Sequence, residues 1–209
     1  MTKYMNDQKF LQAIFDGYAI NYRTLSWHTV SSDTDMTAIE LDYFAGVGRK
    51  LGFMSIREKD RNDIGRRPDL YWCEKPFRNE NKWEHGRKIL YLERENKNHR
   101  WEETLSKIFR STSVEAVPYL IVIFGWISFE NLRQAKETAK RFVLEQQNEN
   151  TMNLLMISWI GAKADDTSEL EGYTNCGGSE STRTAKAAID STGYWHFHSL
   201  SDWTPLVSS

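Results

Sequence analysis

The run Ile89-Leu90-Tyr91-Leu92 is apolar at every position and stops abruptly at Glu93-Arg94-Glu95. Successive side chains of a strand point to opposite faces, so a strand without polar alternates needs cover on both sides. Lys88–Glu95 is therefore expected as a central strand with charged residues at its carboxyl end. Tyr119–Ile127 and Leu154–Ile160 have the same buried character. Amphipathic spacing predicts a helix over Trp101–Arg110 and a longer one over 129–147. A strand, a crossover helix and a further strand imply parallel pairing in one sheet.

Upstream, Phe10, Leu11, Ile14, Phe15, Tyr18 and Tyr22 recur at helical spacing and predict a helix over 5–22. Ser31-Ser32-Asp33-Thr34-Asp35 offers capping oxygens for a second helix over 35–50. The stripe of that helix is Met36, Glu40, Tyr43, Phe44, Val47 and Leu51, so a carboxylate sits on an apolar face. Phe53–Lys59 and Pro68–Glu74 read as a hairpin around a charged turn, and residues 75–87 read as a polar loop. Gly161–Ser191 is nearly empty of large apolar residues, which predicts a long surface loop over 161–193. Tyr194–Trp203 predicts a terminal strand, leaving a short tail. The expectation is one α/β domain over 1–209, with its core at about 35–160 and a mixed sheet flanked by helices.

Charge excludes little. The net charge of −2 neither favours nor opposes nucleic acid, because a basic surface beside an acidic centre cancels in the sum. Cys73 and Cys176 follow no metal-ligand spacing and read as reduced thiols. The first ten residues lack a leader's apolar run, and the apolar stretch at Val117–Ile127 is interrupted by Pro118 and Gly125. A cytoplasmic protein without membrane contact is expected.

The chemistry-bearing residues gather at one strand end. Glu93, Glu95 and Lys97 share a face if the strand continues that far, and antiparallel pairing would bring Asp69 beside them. Clustered carboxylates without cysteines are hard oxygen ligands, suited to Mg²⁺ or Mn²⁺ rather than Zn²⁺. A lysine near them can orient water and stabilise charge on a phosphate.

RPDLYW at 67–72 followed by ILYLERENK at 89–97 resembles the PD-(D/E)xK phosphodiesterase superfamily, which includes restriction endonucleases, junction resolvases and repair nucleases. The resemblance covers about half of the chain. It implies a restriction-endonuclease-like αβββαβ core from about residue 35 to 127, Mg²⁺ or Mn²⁺ as cofactor, DNA as partner and a homodimer. It makes Asp69 the first metal-binding aspartate and Glu40 the helix glutamate near the metal. Two registers stay open for the second element. Glu93-x-Glu95 stands in the usual place after the apolar run, with Lys97 assisting, whereas Glu95-x-Lys97 matches the letters. Asp69, Glu93 and Glu95 are the expected metal ligands, and Arg66, Arg67 and Lys107 the expected DNA contacts.

Blander readings stand beside these. The charges past Leu92 read equally as a solvated strand end, and His196 and His198 as ordinary strand histidines. The basic hairpin Arg57–Arg67 is diluted by Glu58, Asp60 and Asp63. Of the eight tryptophans, Trp72 and Trp83 are placed to stack on bases, and the rest read as core. A non-catalytic binding module on the same fold, or a protein associating through tryptophan-rich surfaces, would carry the same features.

Overall fold

The computed structural model describes residues 7–25, 33–57, 68–75, 77–79, 82–84, 86–114, 116–146, 152–161 and 168–206. The elements, in chain order, are α1 (Asp7–Asn21), α2 (Asp33–Lys50), β1 (Met54–Arg57), β2 (Leu70–Cys73), β3 (Phe77–Asn79), β4 (Lys82–Glu84), β5 (Lys88–Glu95), α3 (Trp101–Val114), β6 (Tyr119–Ile127), α4 (Phe129–Gln146), β7 (Asn153–Ile160), β8 (Glu169–Cys176), β9 (Ser179–Ile189), β10 (Trp195–His198) and β11 (Thr204–Leu206).

Nine strands make one mixed sheet in the order β1-β2-β5-β6-β7-β8-β9-β10, with β11 pairing the other end of β9. β2 runs antiparallel to its neighbours β1 and β5, whereas β5, β6 and β7 are parallel. β5, β6 and β7 are buried nearly throughout, as apolar runs without alternation require. Helices cover both faces. α1 packs on β7 and β8 and α2 on β1 and β2, on one side. α3 packs on β5 and β6 and α4 on β7 and β8, on the other. Each side has its own apolar core. Leu90, Leu92, Ile121 and Leu155 point to α1 and α2, and Tyr91, Leu120, Val122 and Met156 point to α3 and α4.

Three expectations need correction. The polar loop over 75–87 contains a separate two-stranded hairpin, β3–β4. Within the surface loop expected over 161–193, Glu169–Ile189 is instead the long hairpin β8–β9, paired in register from Glu169↔Lys186 to Cys176↔Ser179. Leu170 and Tyr173 of β8 enter the two cores, and close approach supplies the rest of its packing. A Cβ at residue 172 would stand 2.6 Å from the Phe15 ring, so only glycine lets α1 lie this low on the sheet. Ala185 and Ala187 are buried on the same side. Trp72 is fully buried and stacks on Phe53, so it presents no face to a base.

Candidate functional site

The carboxyl end of β5 is where the two layers meet polar chemistry. Leu70 pairs with Leu92, which sets Asp69 across from Glu93 at the start of β2. Leu70 and Leu92 point to the α2 side, so Asp69 and Glu93 point to the α3 side. The Arg94 backbone N–H donates to Asp69 Oδ2 at 2.8 Å, locking the aspartate to the strand beside it. From α3, Lys107 reaches both acids. Its Nζ lies 3.0 Å from Glu93 and 3.8 Å from Asp69 Oδ1. The Glu93 side chain is 4% exposed, Asp69 20% and Lys107 30%, so the group is partly open to solvent at Lys107.

Glu95 shares that face but is turned to other partners. Its Oε1 accepts the Lys97 backbone N–H at 2.8 Å, and its Oε2 lies 3.2 Å from the Thr104 hydroxyl of α3. Lys97 therefore meets Glu95 through its amide, and its side chain is exposed past the strand end. α3 starts just beyond β5 and runs back along it, presenting Thr104 to Glu95 and Lys107 to Glu93.

Glu40 is on the opposite side of the sheet. It is fully buried, ion-paired with Arg94 Nε, and accepts the Tyr18 hydroxyl. Strand alternation explains this: Glu93 and Glu95 face α3, whereas Arg94 faces α2. Asn96, the next residue on the α2 side, donates to Thr37 Oγ1 at 2.9 Å. The Glu40 side chain is therefore not among Asp69, Glu93 and Lys107. Burial, and then the charge of Glu40, holds the Tyr18 phenol well above its ordinary range. Burial and Glu40 also raise Tyr22, partly offset by Arg94. For Arg94 burial pulls down, but the charge and hydrogen bond of Glu40 outweigh it and raise the guanidinium. β6 makes room for this pair: a Cβ at Gly125 would lie 3.0 Å from Arg94 Nη1.

The structure thus brings together Asp69, Glu93 and Lys107, places Glu95 on their rim, and leaves the side chains of Lys97 and Glu40 elsewhere. Arg66 and Arg67 lie outside the described residues, as does the Trp83 side chain. Within the basic hairpin, Arg57 is paired with Asp42 at 2.6 Å. His196 and His198 sit on β10 with ring centroids 5.9 Å apart. Among the described residues no three Asp, Glu, His or Cys side chains form a ligand set. Two carboxylates that already share one ammonium still suit a hard cation, because Mg²⁺ commonly takes one or two carboxylates and keeps several waters.

Arg94, Tyr18 and Thr104 were not singled out by sequence reasoning. A usable signal existed for α3: Trp101, Leu105 and Ile108 define its buried stripe, and Thr104 and Lys107 flank it. Cys73 is buried and Cys176 half-buried, and neither is in a disulfide. Of the described tryptophans, Trp72, Trp101 and Trp159 are buried and Trp126, Trp195 and Trp203 half-buried. No helix among the described residues is long and apolar enough to cross a membrane. No protein-family model matches the chain, and no curated protein matches it.

Proposed function

We propose that this chain is a divalent-cation-dependent nuclease that hydrolyses DNA phosphodiesters at the Asp69–Glu93 end of β5. The observation that carries the reading is the convergence of these carboxylates on one cationic nitrogen at a partly open strand end. The order α2, β1, β2, β5, α3, β6, with antiparallel then parallel pairing, supports it, because it follows the αβββαβ pattern of the resembled superfamily. Asp69 and Glu93 would hold Mg²⁺ or Mn²⁺, with Glu95 at the rim. The bound ion would supply Lewis acidity toward the phosphate and a water of lowered pKa. Glu93, nearly buried and sharing the Lys107 ammonium with Asp69, would gain from a divalent partner, since two close carboxylates disfavour each other's charge. A homodimer would present two such sites to the two strands of a duplex.

A second reading has its own support. Lys107 already ion-pairs with both acids, and no third acidic ligand joins them among the described residues. A non-catalytic nucleic-acid- or protein-binding module would need nothing more.

Cleavage separates the two. Supercoiled plasmid is incubated with the protein in Mg²⁺, Mn²⁺ or EDTA, beside Asp69→Asn and Glu93→Gln. Nicking that needs the cation and falls by roughly 10²-fold or more in both variants, the scale for losing a positioned catalytic group, supports the nuclease. Binding of DNA without cleavage in any cation, equal in wild type and variants, supports the module.

A further inference from the structure

We infer that the lysine serving this site is Lys107 of α3, and that Lys97, the lysine of the strand motif, has no part in it. This rests on the nuclease reading and names the residue that the sequence motif leaves ambiguous.

Geometry separates the two lysines. Lys107 Nζ lies 3.0 Å from Glu93 and 3.8 Å from Asp69, whereas Lys97 approaches Glu95 only through its backbone N–H. α3 is anchored on the sheet by Trp101, Leu105 and Ile108, so the stem of Lys107 starts from a fixed point. Lys97 is exposed, past the strand end and just before a short 3-10 turn at Asn98–Arg100. An ammonium whose stem starts from an anchored helix loses less freedom when it is held against a phosphate than one on an exposed connection.

The same geometry gives Lys107 two positions. Without a divalent ion, its ammonium faces both acids and offsets one of their two charges. Asp69 and Glu93 would hold a divalent ion through the same oxygens that face the ammonium. Lys107 is 30% exposed, so its flexible stem can turn the charge outward, toward a phosphate lying over the site. In hydrolysis, water adds to phosphorus and the P–O bond to the leaving sugar oxygen breaks. One proton of the water ends on that leaving oxygen, and the other is released to solvent as the new phosphate monoester ionises. Lys107 stays protonated throughout. It donates to a non-bridging oxygen as negative charge builds there, so it acts electrostatically and not as a base.

The test couples cation binding to cleavage in the full chain. Calorimetric titration with Mn²⁺ and single-turnover plasmid cleavage are run on wild type, Lys107→Gln, Lys107→Arg and Lys97→Ala, with circular dichroism as the folding control. In Lys107→Gln the internal competitor is gone, so Mn²⁺ should bind several-fold tighter while cleavage falls by roughly 10²-fold. A lysine that only supports the fold would not move binding and rate in opposite directions. Lys107→Arg keeps the charge that faces Asp69 and Glu93. Its planar fork holds carboxylates bidentately, so Mn²⁺ should bind roughly tenfold more weakly. Lys97→Ala should match wild type in both measurements.

The inference is overturned, with the nuclease reading intact, if Lys97→Ala is the slow variant and Lys107→Gln cleaves normally. Should Lys107→Gln fail to fold, Lys107→Arg decides, and unchanged Mn²⁺ affinity and rate in it overturn the inference. If wild type neither binds Mn²⁺ nor cleaves, the nuclease reading fails and takes the inference with it.

Discussion

Two acid–base groups meet the end of β5 from opposite faces, and their surroundings differ. On the α2 side, Glu40 and Arg94 are sealed: their side chains are 0% and 1% exposed, and Tyr18 closes the remaining oxygen. On the α3 side, Asp69, Glu93 and Lys107 form a similar pairing with its cation 30% exposed. A sealed pair cannot exchange partners without unfolding something. A pair with an open cation can give up its ammonium to another ion. The two groups also touch through one residue, because the Arg94 amide holds Asp69 while its guanidinium holds Glu40. The closed side is thus placed to fix the backbone on which the open side depends.

The largest expected effect is loss of the closed pair. Glu40→Ala leaves a buried guanidinium without its carboxylate, which costs about 3–5 kcal/mol of stability. Glu40→Gln should also destabilise, which reverses what a carboxylate crowded among other carboxylates would predict. Replacing both partners, Glu40→Leu with Arg94→Met, should recover most of the loss, since an apolar pair leaves no charge stranded. Urea denaturation measures all three. A cost below about 1 kcal/mol for Glu40→Ala would mean that the face is held by its aromatic packing and not by the pair.

Much of this arrangement was legible in the sequence, and the gaps have physical causes. Ile89–Leu92 announced a strand covered on both faces, and Pro68-Asp69 landed across from Glu93 as antiparallel pairing required. Glu40 was visible as a carboxylate on an apolar stripe. Its partner was not, because nothing in a sequence says which strand a helix covers. Alternation alone then assigns Arg94 to one face and Glu93 to the other. The hairpin β8–β9 is hard to read from sequence because, beyond Leu170 and Tyr173, it packs through Gly172, Ala185 and Ala187. Its other face is polar yet partnered: Lys140 of α4 pairs with Glu180 at 2.8 Å, and Lys136 with Glu171. Polar strands of small residues read as loop by composition.

Gly172→Ala should be the next largest effect. The added methyl meets the Phe15 ring at 2.6 Å, so α1 must lift or the ring must leave its rotamer, costing about 1–3 kcal/mol. Thermal denaturation checks it. A neutral result would show that α1 is not held down at this point and that the α1/α2 side is less sealed than its burial implies. On the α3 side, Asp69→Asn should change stability by only about 0.5 kcal/mol, because the amide oxygen still accepts the Arg94 N–H and one of two neighbouring negative charges is gone. A loss comparable to Glu40→Ala would erase the distinction between the faces.

The smallest effect uses the two thiols as reporters, one for each side. Cys73 belongs to the core under α3 and Cys176 packs against the core under α1. Burial, and then the charge of Asp7, pushes the Cys176 thiol up to about 12 from an ordinary 9.0. A raised folded pKa means that the folded state holds the proton more tightly. The linked stability is therefore intact below about pH 9 and is lost as pH climbs toward 12. At pH 8 the thiolate fraction in the folded protein is about 10³-fold below that of the unfolded chain, so Cys176 should react slowly with an aromatic disulfide reagent until urea is added. Reaction then proceeds through opening of the structure, and its rate reports the free energy of that opening. Glu40→Ala loosens α1 through Tyr18, so it should accelerate Cys176 more than Cys73. Equal acceleration of both thiols would mean that the sheet opens as one unit, and that the two faces differ in exposure but not in independent stability.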